Sequence, residues 1–233
     1  MTTKRRILIV EDEGAIRTGL IDVFVFHGFE VDSAEEGPEG LRKALTGRFD
    51  LILLDVMLPG MNGFDICNRI REQDKEQPII MLTAKTSDED IIQGLSLGAD
   101  DYVAKPFSVA QLVLRVQAVL RRAGGSANDD HQIQLGDELA IDIRNLSATG
   151  NKGDCSFTRR EMEILQYLHS NHERPVSREE LLNKVWGYAK NAELETRTVD
   201  IHIAKLRRKI EPEPRDPRYL ITVRGAGYRL LSS

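Results

Sequence analysis

The run Leu51-Ile52-Leu53-Leu54-Asp55-Val56-Met57-Leu58-Pro59-Gly60 decides the fold of the first half of the chain. Its apolar residues are consecutive rather than alternating, the pattern of a strand buried on both faces of a parallel sheet. The run ends on a carboxylate and is broken by Pro59-Gly60, so Asp55 stands at the carboxyl end of that strand. Similar runs lie on either side: Ile7-Leu8-Ile9-Val10, Phe29-Glu30-Val31, Pro78-Ile79-Ile80-Met81-Leu82 and Tyr102-Val103-Ala104. Helical spacing fills the intervals near 14–27, 37–46, 63–73 and 88–97. A further helix near 109–122 carries Leu112, Val116, Val119 and Leu120 on one face. Five β–α repeats, (βα)5, predict an α/β fold with a parallel sheet and right-handed crossovers.

Ligands of such sheets bind beyond the carboxyl ends of the strands. Here those ends carry Glu11-Asp12, Asp55, Thr83-Ala84 and Lys105-Pro106. Carboxylates converging on one rim repel one another unless a hard cation sits among them, and Mg2+ suits an all-oxygen donor set. A carboxylate beside that ion can act as nucleophile toward phosphorus. An ammonium and a hydroxyl nearby would then neutralise and hold the transferred group.

The composition supports a soluble chain of about two domains: 233 residues, 41% hydrophobic and 30% charged. The net charge of −5 is unevenly spread. Residues up to Arg122 hold 15 Lys+Arg against 20 Asp+Glu, whereas Thr196 to Arg229 alone hold 9 against 4. An acidic front and a basic tail call for different partners. No apolar run is long enough to span a bilayer and no secretory signal follows Met1-Thr2-Thr3-Lys4-Arg5-Arg6, so a cytoplasmic location is expected. Cys67 and Cys155 are far apart with no metal ligand at suitable spacing, and read as reduced thiols.

The small, polar stretch from Ala123 to Asp130 reads as a linker, dividing the chain into domains 1–122 and 132–233 with a flexible segment 123–131. Short strand-like pieces occupy 132–157, and three helices follow. Thr158-Arg159-Arg160-Glu161 and Ser177-Arg178-Glu179-Glu180 both fit a capping box opening a helix. The third helix, about 196–210, should bury Val199, Ile203, Leu206 and Ile210 and turn Arg197, Ile201, Ala204, Lys205 and Arg208 elsewhere. A basic outer face on the last of three helices suits major-groove insertion into double-stranded DNA. The tail, Tyr219 to Leu231, reads as a hairpin around Arg224-Gly225-Ala226-Gly227.

On Glu11-Asp12, Asp55 within Leu54-Asp55-Val56-Met57-Leu58-Pro59-Gly60, Thr83-Ala84 and Lys105-Pro106-Phe107, residues 5–122 resemble the receiver domain of two-component response regulators, a flavodoxin-like fold. The resemblance implies Asp55 as acceptor of a phosphoryl group from a sensor histidine kinase, and Mg2+ held by Asp12, Asp55 and the Met57 carbonyl beside Glu11. It further implies Thr83 and Tyr102 as a switch pair, Lys105 as the phosphate-pairing cation, and a cis Lys105-Pro106 bond. Activated relatives form homodimers through the face made by the 88–97 helix, the fifth strand and the 109–122 helix. There, Ile92, Leu95 and Val113 are the expected apolar patch, and Asp100 and Asp101 are expected to pair with Arg115 and Arg122. Ile91 and Gln111 replace an ion pair that relatives usually place on this face.

Residues 133–231 resemble the α+β winged helix-turn-helix domain of the OmpR/PhoB subfamily. The carrying pieces are Leu181-Leu182, Val185-Trp186-Gly187, Arg197-Thr198-Val199-Asp200-Ile201-His202-Ile203, Leu206-Arg207-Arg208-Lys209 and Val223-Arg224-Gly225-Ala226-Gly227-Tyr228. This implies DNA contacts from Arg197, Thr198, Ile201, His202, Lys205, Arg208, Arg224 and Tyr228, with His202 at phosphates. It also implies Trp186 in the core, promoter DNA in direct repeats, and RNA polymerase at the loop from Gly187 to Glu195. Two competing readings are weighed. An aspartyl-phosphate phosphatase needs a second Asp two residues past the nucleophile, where this chain has Met57, so no turnover of an external substrate is expected beyond self-phosphorylation and slow self-dephosphorylation. A phosphorylation-independent regulator would lack a pocket acid or Lys105, and all are present.

Overall fold

The computed structural model describes residues 4–84, 97–122, 132–136, 139–150, 153–187 and 196–231. The chain divides into two compact units, Met1–Gly124 and Gly125–Ser233. In the first, strands β1 (Arg6–Val10), β2 (Glu30–Ala34), β3 (Leu51–Asp55), β4 (Ile79–Thr83) and β5 (Asp101–Ala104) form one parallel sheet in the order β2-β1-β3-β4-β5. Helices α1 (Gly14–Phe26), α2 (Gly37–Ala44), α3 (Gly63–Gln73) and α4 (Val109–Arg122) lie between and after the strands. The expected helix near 88–97 falls almost wholly outside the described residues, as does the linker 123–131.

Strand order reverses its direction of growth between β1 and β3, the position at which such sheets bind ligands beyond the strands' carboxyl ends. Ile7 and Ile9, Leu51 and Leu53, and Ile80 and Leu82 pack with Leu20 and Phe24 of α1 and with Leu112, Val116 and Val119 of α4. The alternate strand residues are equally buried, which accounts for the unbroken apolar runs. On that second side α2 comes so close that a Cβ on Gly40 would lie 2.5 Å from Val10 Cγ1.

The second unit opens with an antiparallel sheet of β6 (Gln132–Leu135), β7 (Leu139–Asp142), β8 (Ser147–Gly150) and β9 (Cys155–Ser156). Helix α5 (Arg159–Ser170) starts with a complete capping box, in which Thr158 Oγ1 accepts from the Glu161 amide and the Glu161 carboxylate accepts from the Thr158 amide. At α6 (Arg178–Leu181) only half of the expected box forms. Ser177 Oγ accepts from Glu180 N, but the Glu180 carboxylate turns to Arg174 and Tyr167. The turn after α6 widens to π-helical geometry over Leu182–Trp186 and stops at Gly187 with φ of 78°. Helix α7 (Thr196–Ile210) buries the expected stripe Val199, Ile203, Leu206 and Ile210, and the antiparallel hairpin β10 (Leu220–Val223) and β11 (Gly227–Leu230) completes the unit.

Candidate functional site

Glu11 ends β1, Asp55 ends β3, Thr83 ends β4 and Lys105 follows β5, so the parallel register delivers all four to one rim. Carboxylate oxygens of Glu11, Asp12 and Asp55 lie within 4.8 Å of one another. Lys105 Nζ reaches over them, 2.7 Å from Asp55 Oδ2 and 2.8 Å from the Glu11 carboxylate. The Lys105-Pro106 peptide is cis. The Met57 amide donates to Asp55 Oδ1 at 3.2 Å. Behind Asp55, a Cβ on Gly63 would stand 2.1 Å from the Asp55 carbonyl oxygen, so only glycine lets α3 start this close to the strand end.

Two of these carboxylates are withdrawn from water, Glu11 fully and Asp55 to 3% exposure, and they share one ammonium. Burial, reinforced by the neighbouring Asp55 charge, pushes Glu11 up to about 7 despite Lys105. Lys105 in turn is held above its usual value: burial opposes the charge, but the two carboxylates outweigh it. The pocket is therefore short of positive charge, and its donors are all oxygens. That combination fits a hard divalent cation, for which Glu11, Asp12 and Asp55 are the available ligands.

One residue of the pocket went unread in the sequence. Arg17 of α1 donates from Nη1 to the carbonyls of Glu11 (2.7 Å) and Asp12 (3.1 Å), and its Nη2 pairs with Glu35 at 2.5 Å. It fixes the backbone that presents the acidic pair. Its position, one helical turn into α1 and five residues past Asp12, is the available signal.

Thr83 is fully buried at the rim, and Tyr102 is 8% exposed, in register with Met81 inside the sheet. The expected pairing face needs correction. Asp100 is not at a surface: it accepts from Arg71 Nη2 at 3.0 Å and from the Ile79 amide at 2.8 Å, both buried. Asp101 is 1% exposed and pairs at 3.0 Å with Arg115 of its own chain. Val113 belongs to the core, and Leu114, one residue on, is 63% exposed. The exposed apolar position thus lies one residue later on the helix than the sequence spacing predicts. Ile92, Leu95 and the side chain of Arg122 lie outside the described residues.

The basic tail needs a similar correction. His202, expected at phosphates, is completely buried with its ring 5.3 Å from that of Trp186, and among the described residues neither ring nitrogen has a hydrogen-bond partner. Burial pulls it down to about 3, so it is neutral and cannot neutralise a phosphate. Lys205 folds inward to Glu161 Oε1 at 3.1 Å, and Lys209 joins the same carboxylate at 2.6 Å. Thr198 and Tyr228 are also buried, and Ile201 is half-buried. Ala204 and Arg208 on α7 and Arg224 at the hairpin tip face solvent. The side chain of Arg197 lies outside the described residues. Glu161 was read as a cap alone; the i, i+4 lysines of α7 were the signal that it carries a second task.

Comparison with known proteins agrees with both halves. Residues 7–117 match the response regulator receiver domain family, and residues 152–230 match the family described as transcriptional regulatory protein, C terminal. The chain is 41% identical to the response regulator ArlR of Staphylococcus aureus over 96% of this chain and 98% of that one. Among solved structures, a RitR mutant is matched with a TM-score of 0.72 at 30% identity, covering 98% of this chain and all of the other (100%). The response regulator DrrB, titled a Thermotoga maritima OmpR/PhoB homologue, is matched at 0.53 and 32% identity, covering 98% of this chain and 99% of DrrB. Among the described residues no helix is long and apolar enough to cross a membrane. The chain belongs to the OmpR/PhoB family of two-component response regulators, transcriptional regulators with a receiver and a winged-helix DNA-binding domain.

Proposed function

We propose that Asp55 accepts a phosphoryl group from a sensor histidine kinase, and that the phosphorylated chain pairs with a second copy and binds direct-repeat promoter DNA. The observation that carries this reading is the shared ammonium: Lys105 Nζ at 2.7 Å from Asp55 Oδ2 and 2.8 Å from Glu11, in a pocket still short of positive charge. An Asp55 carboxylate oxygen attacks phosphorus, the P–N bond to the kinase imidazole breaks, and the imidazole keeps that electron pair while an acyl phosphate forms on Asp55. Lys105 then moves its charge from the carboxylate to the phosphoryl oxygens. Glu11, Asp12, Asp55 and the Met57 carbonyl would hold Mg2+, which would supply the remaining neutralisation of the transferred group.

The new oxygens attract the Thr83 hydroxyl, and Tyr102 repacks into the space it leaves, remodelling the face of β5 and α4 where Leu114 is exposed. Pairing of two chains through that face brings two winged-helix units to adjacent half-sites, with RNA polymerase met by the 187–195 loop. Met57 offers no acid for turnover, so the chain is a phosphoacceptor in the cytoplasm and not an enzyme acting on outside substrates. Incubation of wild type and Asp55→Ala with a labelled phosphodonor tests the core of this: label is expected on the wild type alone, and equal labelling of both would overturn it.

A further inference from the structure

The buried Tyr228 hydroxyl has a use that DNA contact does not explain. It donates to Asp200 Oδ1 of α7 at 2.6 Å and accepts from Arg178 Nη2 of α6 at 2.9 Å, while Arg178 Nε also reaches Asp200 Oδ1 at 2.6 Å. The Arg178 guanidinium lies 4.7 Å from the centre of the Tyr228 ring. Burial, together with the Asp200 carboxylate, pushes the Tyr228 phenol up to about 12, so it remains a donor at any physiological pH.

Seven residues along α7, and so on the same stripe as Asp200, Arg207 donates to Leu220 O and Thr222 Oγ1 of β10, each at 2.8 Å. The hairpin is thus tied to α7 at two points two helical turns apart. Its other edge is pinned as well, because Val176 and Tyr228 exchange both backbone hydrogen bonds, at 2.7 and 2.9 Å. A Cβ on Gly227 would stand 2.0 Å from Val176 O, so this approach depends on a missing side chain.

We infer that Arg178, Asp200 and Tyr228 are positioning residues that fix the hairpin against α7, so that Arg224 at its tip and the outer face of α7 read one DNA site as a unit. The inference rests on the DNA-binding role of this domain. A flexible hairpin would still reach a phosphate, but it would lose preorganisation and hence most of the tip's contribution.

The experiment is a double-mutant cycle on the full-length chain, using Tyr228→Phe and Arg224→Ala and measuring affinity for a duplex that the wild type has selected from a random-sequence pool. Tyr228→Phe removes the hydroxyl and keeps the ring. Arg224→Ala is expected to weaken binding about tenfold in the wild type and no more than about twofold in the Tyr228→Phe background. An equal loss in both backgrounds would overturn the clamp while leaving the DNA-binding role intact. No loss from Arg224→Ala in the wild type would overturn the clamp together with the assignment of the hairpin to DNA. Should Tyr228→Phe unfold the domain, Asp200→Ala cuts the same link from the helix side, and the same two outcomes decide.

Discussion

Glu11 in the first unit and Glu161 in the second are both fully buried, and the two are in opposite electrostatic condition. Glu11 shares a single lysine with a second buried carboxylate and is pushed up to about 7. Glu161 faces Lys205, Lys209 and the Thr158 amide, and although burial pushes it upward these three hold it below the ordinary carboxylate range. The first is a site left under-neutralised, a condition that the proposed cation and phosphoryl group would relieve. The second is a closed structural joint between α5 and α7. Burial of an acid is common to both, and the count of partners separates function from architecture.

The largest expected break in this contrast is Glu161→Ala. It removes half a capping box and takes the carboxylate from two lysines beneath α7, for a loss of about 2–4 kcal/mol. Trp186 is the chain's single tryptophan and lies in the same core, so its fluorescence in a urea titration measures the winged-helix unit alone.

A smaller effect follows from protons. In the unfolded chain Glu11 returns to about 4.5, so between there and about 7 the folded receiver holds a proton the unfolded chain has released. Its stability therefore falls as pH rises through that window, by on the order of 2 kcal/mol, and millimolar Mg2+ should flatten the fall. Glu161 acts in the other sense: its lowered value makes its contribution full above about 4.5 and lost on acidification. Receiver melting that is independent of pH between 5 and 7 without Mg2+ would remove the distinction.

The smallest effect separates two basic residues of α7. Arg208→Ala, on the exposed side, should weaken DNA binding by about 1 kcal/mol and shallow its salt dependence. Lys205→Ala, turned toward Glu161, should lower the melting temperature of the winged-helix unit instead, with little change in salt slope. The reverse pattern would mean that Lys205 leaves Glu161 for the phosphate backbone.

Legibility in the sequence follows the same division. Uninterrupted apolar runs and the residues at their ends were enough to place β1, β3, β4 and the pocket, because a parallel register brings strand ends together whatever the loops do. Amphipathic surfaces were harder to read. Val113 and Leu114 differ by 100° of helix rotation, and composition does not say which of the two faces out. His202, Lys205 and Tyr228 look like DNA ligands by type, yet their partners Trp186, Glu161 and Asp200 come from elsewhere in the chain, so only the folded arrangement shows them turned inward. Asp100 misled for a similar reason, its partner Arg71 lying 29 residues away.

Gly63 and Gly227 each stand where a single methyl group would strike a carbonyl oxygen, at 2.1 Å from Asp55 O and 2.0 Å from Val176 O. One holds the start of α3 against the strand that ends in Asp55, and the other holds the hairpin against the turn before α6. A variant that substitutes alanine at either position changes no charge and removes no hydrogen-bonding group, yet it must push the backbone apart at the place where a signal is received or where DNA is read. Mutational tolerance at these positions is thus set by the lack of a side chain, and screens that score only chemical groups will pass over them.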